Sequence, residues 1–176
     1  HLSATHYPIK SNSEIRKRIS EYPIDANFMQ IIMKPNTPSP SDWHYFVECD
    51  DAVHRIHRLP PLTFKNHGVN LYTGSQWFIL SNDFAEYIAK EKDDVPELIE
   101  YFTHVVVADE HFFSTLLRNS RYCTTHVNRN WNYFQFDRWE NEVSHQERDR
   151  RKCLFPDPDR CGRSPTYMTR DDFFAL

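Results

Sequence analysis

Glycine is nearly absent from this chain: there are three in 176 residues, and two of them, Gly74 and Gly162, fall inside motifs that carry the argument below. Long apolar runs are missing as well. None approaches the roughly 18 residues needed to cross a bilayer. Basic excess is lacking. The net charge of -4 argues against a nucleic-acid partner, which calls for a positive field. There is no internal repeat and no N-x-S/T acceptor with a permitted middle residue, so glycosylation gives no pointer to compartment. What is present is the composition of a folded domain, 39% hydrophobic and 15% aromatic with 26% charge, which excludes wholesale disorder. The length suits one domain with a real core and is short for two. We expect a single partial domain over 1–176, cut from a longer protein, since the chain begins at His1 without Met.

The pattern along the chain alternates strands and helices, which points to an α/β layer architecture. His1–Thr5 reads as the end of a strand. Ser11-Asn12-Ser13-Glu14 has the form of a capping box, with Ile15 and Ile19 four apart on a short amphipathic helix that ends before Pro23. Residues 27–33 form an apolar run compatible with a strand, and 35–41 a proline- and serine-rich loop. Residues 43–49 and 69–72 read as extended, and 76–80 as a buried strand opened by a glycine turn. Ser81-Asn82-Asp83 can cap a helix with Phe84, Tyr87 and Ile88 on one face. Asp94 with Pro96 begins another that buries Leu98, Ile99 and Phe102. Val105–Val107 reads as a short β-branched strand. Asp109 then caps a helix with Phe112, Phe113, Leu116 and Leu117 inward, ending near Asn119. From Arg121 onward the chain turns irregular, tryptophan-rich and charged.

Two stretches carry the chemistry: Asp109-Glu110-His111-Phe112-Phe113 and Gly74-Ser75-Gln76-Trp77-Phe78. A carboxylate fixed at a helix start, beside an aromatic-lined strand, suits a general base acting on a sugar hydroxyl. The helix dipole favours its ionised form. On pattern alone, both carboxylates can equally be plain helix caps. Trp77 can be a pocket wall or a core tryptophan, and Asp50 a hydroxyl ligand or a surface turn.

At these motifs the sequence resembles glycosyltransferase family 14, which holds the peptide O-xylosyltransferases and the core 2 branching N-acetylglucosaminyltransferases. Leu2-Ser3-Ala4-Thr5-His6-Tyr7-Pro8 is similar to a family segment that carries aspartate where His6 stands. Glu48-Cys49-Asp50 with Arg55, the Gly74–Phe78 stretch, the Asp109–Phe113 stretch, Asn119–Cys123, Asn130-Trp131-Asn132 and Cys161–Pro165 follow in family order. The resemblance implies a GT-A type fold, of which this chain would be the central and acceptor-side part. The portion that holds the nucleotide base would precede His1, and a basic segment that grips the diphosphate would follow Leu176.

The implied activity is inverting transfer of a sugar, xylose first, from a UDP-sugar donor to a hydroxyl, serine in a protein acceptor or a glycan. It implies Glu110 as general base, without a metal or other cofactor. Asp109 stays mainly a cap. Asp50 would bind sugar or acceptor hydroxyls, Trp77 would wall the donor sugar, and Trp131 and Tyr133 would form an aromatic acceptor platform that ordinary packing rivals. The resemblance also implies a Cys153–Cys161 disulfide; Arg163 stands where a nested cysteine would be. Cys123 would pair with a cysteine before His1, and Cys49 would be free and buried. The implied compartment is oxidising, the Golgi lumen, as part of a type II membrane protein. An N-acetylglucosaminyl or glucuronosyl transferase of the same family is the nearest alternative, and a non-catalytic carbohydrate-binding relative is another.

Metal readings are weaker. Asp157-Pro158-Asp159 has the D-x-D form, but it sits between two cysteines in a proline-rich loop. His54 and His57 near Asp50 suggest zinc, yet Arg55 and Arg58 interleave with them as on a solvated face. Arg148, Arg150 and Arg151 can meet phosphate or simply be exposed.

Overall fold

The computed structural model describes residues 2, 6–32, 44–58, 63–64, 67–90, 95–105 and 107–134. The chain divides into two compact units, His1–Trp131 and Asn132–Leu176, and every described element belongs to the first. Helices and strands are mixed in it. The expected strand end at His1–Thr5, the 35–41 loop, the aspartate pair at 157 and 159, the arginines at 148–151 and the cysteines at 153 and 161 lie outside the described residues.

The capping box forms as its residues require: Ser11 Oγ accepts the Glu14 N–H, and the Glu14 carboxylate accepts the Ser11 N–H at 3.0 Å. It opens α1 (Asn12–Ile19), which buries no side chain; the expected apolar face of Ile15 and Ile19 finds no core. The apolar run that follows supplies two short strands, β1 (Asn27–Phe28) and β2 (Ile31–Ile32). A hairpin comes next, β3 (His44–Cys49) and β4 (Ala52–Arg58), turned by Asp50-Asp51. Asp50 has φ 54°, a left-handed conformation that aspartate tolerates at such a turn. A second small hairpin joins β5 (Thr63–Phe64) to β6 (His67–Gly68).

The 27–32 run is the axis of the unit. β1 pairs in parallel with β8 (His126–Val127), and Phe28 exchanges two backbone hydrogen bonds with Ile79. β2 pairs antiparallel with β7 (Thr73–Gly74). The expected strand over 76–80 thus contributes only the Ile79 bridge, and the extended segment proper sits just before it, ending at the glycine.

Three helices pack their buried faces into the core around this. Ser81 caps α2 (Asn82–Lys90) as read, its hydroxyl accepting the Phe84 N–H at 3.2 Å, while its own N–H is taken by buried Asn27. α3 (Val95–Phe102) buries Val95, Leu98 and Phe102, a stripe at i, i+3 and i+7 that leaves Ile99 at its edge and 51% exposed, against expectation. Its Tyr101 is half-buried, and burial pushes its hydroxyl up to about 12. The core gathers Met29, Tyr72, Phe78, Phe84, Tyr87, Leu98, Phe102, Leu116 and Leu117.

Neither Val105 nor Val107 lies in a strand. The Val105 N–H closes a turn onto Phe102 O, and Val107 stands at φ 59°, where a β-branched residue is strained by about 1–3 kcal/mol. A 3-10 turn, Ala108–Glu110, follows, and only then α4 (Phe112–Asn119), whose N-cap is His111 with no side-chain cap bond. Asp109 is therefore exposed and caps no helix. Glu110 ends the preceding turn, outside α4, so the dipole acts on it only from beyond the helix end.

Cys49 is free but exposed, not buried, because it sits at the mouth of the two-residue turn opposite Ala52. Cys123 is free and exposed too, and no disulfide forms among the described residues.

Candidate functional site

The seam between α4 and residues 70–74 builds the site. One flank of α4 carries His111, Ser114, Thr115 and Asn119, a spacing of three and four that would ordinarily face water. Here the first three are buried. The Asn119 side chain donates to Asn70 O at 2.8 Å and accepts the Asn70 N–H. Thr115 Oγ1 accepts the Tyr72 N–H at 3.1 Å, and Ser114 Oγ donates to Tyr72 O at 3.0 Å. His111 Nδ1 and Thr73 Oγ1 share a 3.0 Å bond. Each contact moves one step toward the N-terminal end of α4 and one step along the segment, so the two run antiparallel. The backbone groups of 70–72 that no strand satisfies are met by this polar flank.

Gly74 lets the seam close. A Cβ there would stand 2.7 Å from Gln30 O and 3.2 Å from Ser114 Cβ. Four residues on, the Phe78 and Phe113 rings meet at 4.7 Å. The Gly74–Phe78 and Asp109–Phe113 stretches, read from sequence as partners, therefore pack directly on each other.

Glu110 is half-buried at one end of the seam; its N–H donates to Val107 O and its carbonyl accepts Ser114 Oγ at 3.2 Å. Trp77 is half-buried, its N–H held by Ser75 Oγ at 3.1 Å and its ring edge-on to His6 at 5.4 Å. Ser75 Oγ also accepts from Asn130 Nδ2 at 3.0 Å, tying the Asn130–Trp131 stretch to the same segment. Trp131 lies under the Arg129 guanidinium, 4.4 Å away, and edge-on to Phe28 and Tyr22. Its Nε1–H is buried without an acceptor.

Asp50 lies on the β3–β4 turn and is not part of the α4 seam. Its hairpin is anchored at Phe46, whose N–H donates to His104 O at 3.1 Å and whose carbonyl bonds His104 Nδ1, and Asp50 is the exposed tip. Four extended residues separate anchor and tip, roughly 13 Å. Tyr133 is exposed and belongs to the second unit. Among the described residues no group of three or more His, Cys, Asp and Glu gathers as a metal site.

Sequence reading gave no linking role to Thr73, Ser75, Ser114, Thr115 or Asn130. Ser75 and Asn130 lie inside quoted motifs, and the signal for Ser114 and Thr115 was the polar spacing along α4, which is indistinguishable from a solvated face until its partner segment is known.

His126 holds the far side of the axis, its Nε2–H donating to Met29 O at 2.8 Å. Burial, with Arg118 as a lesser cause, pulls this imidazole below its ordinary value despite the opposing effect of that bond. The unfolded chain thus takes up the proton first. Stability is complete above about pH 6.5 and falls as acid moves below it. In denaturant titrations across that range, His126→Gln, which keeps a donor but does not titrate, flattens this part of the acid loss. An unchanged slope would remove His126 as its source.

Residues 1–157 match the Core-2/I-branching enzyme family. The chain belongs to that family. It is 31% identical to xylosyltransferase 1 of Rattus norvegicus over 98% of its own length and 20% of that protein's. It is 30% identical to xylosyltransferase 1 of Homo sapiens, covering 98% of this chain and 17% of the relative. Xylosyltransferase 2 of Homo sapiens is 30% identical over 99% and 19%. The chain thus spans about a fifth of the length of the relatives it matches.

Proposed function

We propose that this chain forms the catalytic, acceptor-side part of an inverting glycosyltransferase of GT-A type, with Glu110 as general base. The favoured reaction passes xylose from a UDP-sugar to a hydroxyl, a protein serine first. Family membership and the xylosyltransferase relatives support glycosyl transfer and the choice of sugar. The observation that carries the site is the seam itself, which packs the Glu110 stretch directly on the Trp77 stretch through Thr73–His111, Gly74–Ser114 and Phe78–Phe113.

In this mechanism the Glu110 carboxylate takes the acceptor's hydroxyl proton as the oxygen attacks the anomeric carbon from the face opposite the leaving group. The C–O bond to the diphosphate breaks and UDP departs, so the anomeric configuration inverts. Trp77 offers its ring face and indole N–H to the donor sugar, and Trp131 offers its ring to the acceptor. Asp50, at its hairpin tip, would add contacts to hydroxyls. The nucleotide base and diphosphate are held by segments on either side of this one, so the 176 residues alone are inactive. The compartment is the Golgi lumen.

His6 gives a second reading its footing. It stands edge-on to Trp77, where an imidazole in place of a carboxylate changes which sugar the wall accepts. N-acetylglucosamine or glucuronic acid is then the donor's sugar.

A donor screen on the full-length protein, reading UDP release for each UDP-sugar with and without EDTA, tests both. Release with UDP-xylose, undiminished by EDTA, is expected. Release with another sugar selects the second reading, and abolition by EDTA contradicts the metal-free mechanism. No release with any donor would leave a carbohydrate-binding relative.

A further inference from the structure

The proposed base lies outside α4, at the end of a turn that starts from a strained Val107. Such a carboxylate needs something to hold its backbone. We propose that His111 is a positioning residue for Glu110, latching the acid turn to the strand that leads to Trp77 through its bond to Thr73. This inference rests on the base assignment above and extends it.

Four observations converge. His111 directly follows Glu110 and is 3% exposed. Its Nδ1 bonds Thr73 Oγ1 at 3.0 Å, and Thr73 is the residue before Gly74. Its N–H closes the 3-10 turn onto Ala108 O at 3.1 Å, and its carbonyl accepts both the Thr115 N–H and Ser114 Oγ. One residue therefore fixes the end of the acid turn, the start of α4 and the edge of β7. The other polar contacts of the seam, at Tyr72 and Asn70, lie one and two turns farther from Glu110 along α4. Ser114 Oγ also lies within reach of Glu110 O, but the His111–Thr73 bond is the one that ties the residue next to Glu110 to β7.

A shifted base lowers the rate of the chemical step while leaving donor binding alone, since positional errors near 1 Å cost up to about 100-fold in rate. The test uses the full-length protein and reads kcat, KM for the UDP-sugar and thermal midpoint. Thr73→Val, nearly isosteric, removes the hydroxyl, and His111→Phe removes the imidazole while filling its space. Each is expected to lower kcat 10-fold or more with KM within twofold. Thr73→Ser restores the bond and the rate. Asn119→Ala, which breaks the far end of the seam, is expected to lower the midpoint with kcat within twofold.

Combining Thr73→Val with Glu110→Gln is expected to add no further loss of kcat, because there is no base left to misplace. Three results overturn the proposal: kcat within twofold of wild type in a folded Thr73→Val, a loss of kcat in Asn119→Ala as large as in Thr73→Val, or failure of both bond-breaking variants to fold. The base assignment fails separately, if Glu110→Gln by itself keeps its rate.

Discussion

Replacing Glu110 with Gln in the full-length protein is expected to lower sugar transfer about 100- to 10,000-fold, the range that one positioned proton acceptor contributes. Gln keeps the size of the side chain and its capacity to hydrogen-bond, and loses only the ability to accept a proton. The side chain is half-buried, and the backbone of the turn is held by Val107 O and Ser114 Oγ, groups the substitution does not touch. The fold should therefore persist, with a thermal midpoint close to that of wild type. UDP binding by calorimetry should persist as well, because the proposed mechanism gives Glu110 no nucleotide contact. The expected signature is a loss in kcat with little change in donor affinity. If UDP release and acceptor glycosylation run at the wild-type rate, Glu110 is not the base.

Gly74→Ala is expected to be the most damaging single substitution for stability among those considered. Its Cβ would meet Gln30 O at 2.7 Å, a backbone atom that cannot swing aside. That carbonyl already accepts the Ser75 N–H at 2.9 Å, within the β2–β7 pairing. The second neighbour, Ser114 Cβ at 3.2 Å, belongs to a buried side chain whose single O–H lies within reach of three carbonyl oxygens. Relief requires β7 to move away from β2, from α4 or from both. Overpacking of this kind costs about 1–3 kcal/mol, read as a shift in the denaturant midpoint. The same movement separates Trp77 from the Glu110 turn, so transfer should fall as well. A midpoint unchanged to within about 0.5 kcal/mol, the ordinary scatter of surface substitutions, would mean the contact yields more easily than the geometry implies.

How far the sequence spoke differs from residue to residue. Ser11 with Glu14, and Ser81 before α2, were legible because a cap is local chemistry. Leu98 and Phe102 were legible from helical spacing, as were Leu116 and Leu117. The order of the motifs made the family visible. What stayed hidden was non-local. The polar flank of α4 reads as a solvent face, and only the presence of residues 70–74 turns it into a buried seam. Three consecutive valines read as a strand, yet Val105 closes a helix and Val107 takes a left-handed conformation, because the chain must turn before Glu110.

β4 was missed because His54, Arg55, His57 and Arg58 dilute the apolar alternation, and Val53 and Ile56 are exposed. The site shows the same division. Glu110 and Trp77 were singled out from their motifs, which pack on each other, whereas Thr73 lies outside any motif and Ser75, inside one, showed nothing of its bond to Asn130.

The most direct measurement is a crystal structure of the full-length protein with an unreactive UDP-sugar analogue and an acceptor peptide or glycan. The account predicts the Glu110 carboxylate within about 2.6–3.2 Å of the acceptor hydroxyl, with the donor sugar against Trp77 in the same cavity. A carboxylate turned to bulk solvent, or separated by protein from the sugar, would contradict it.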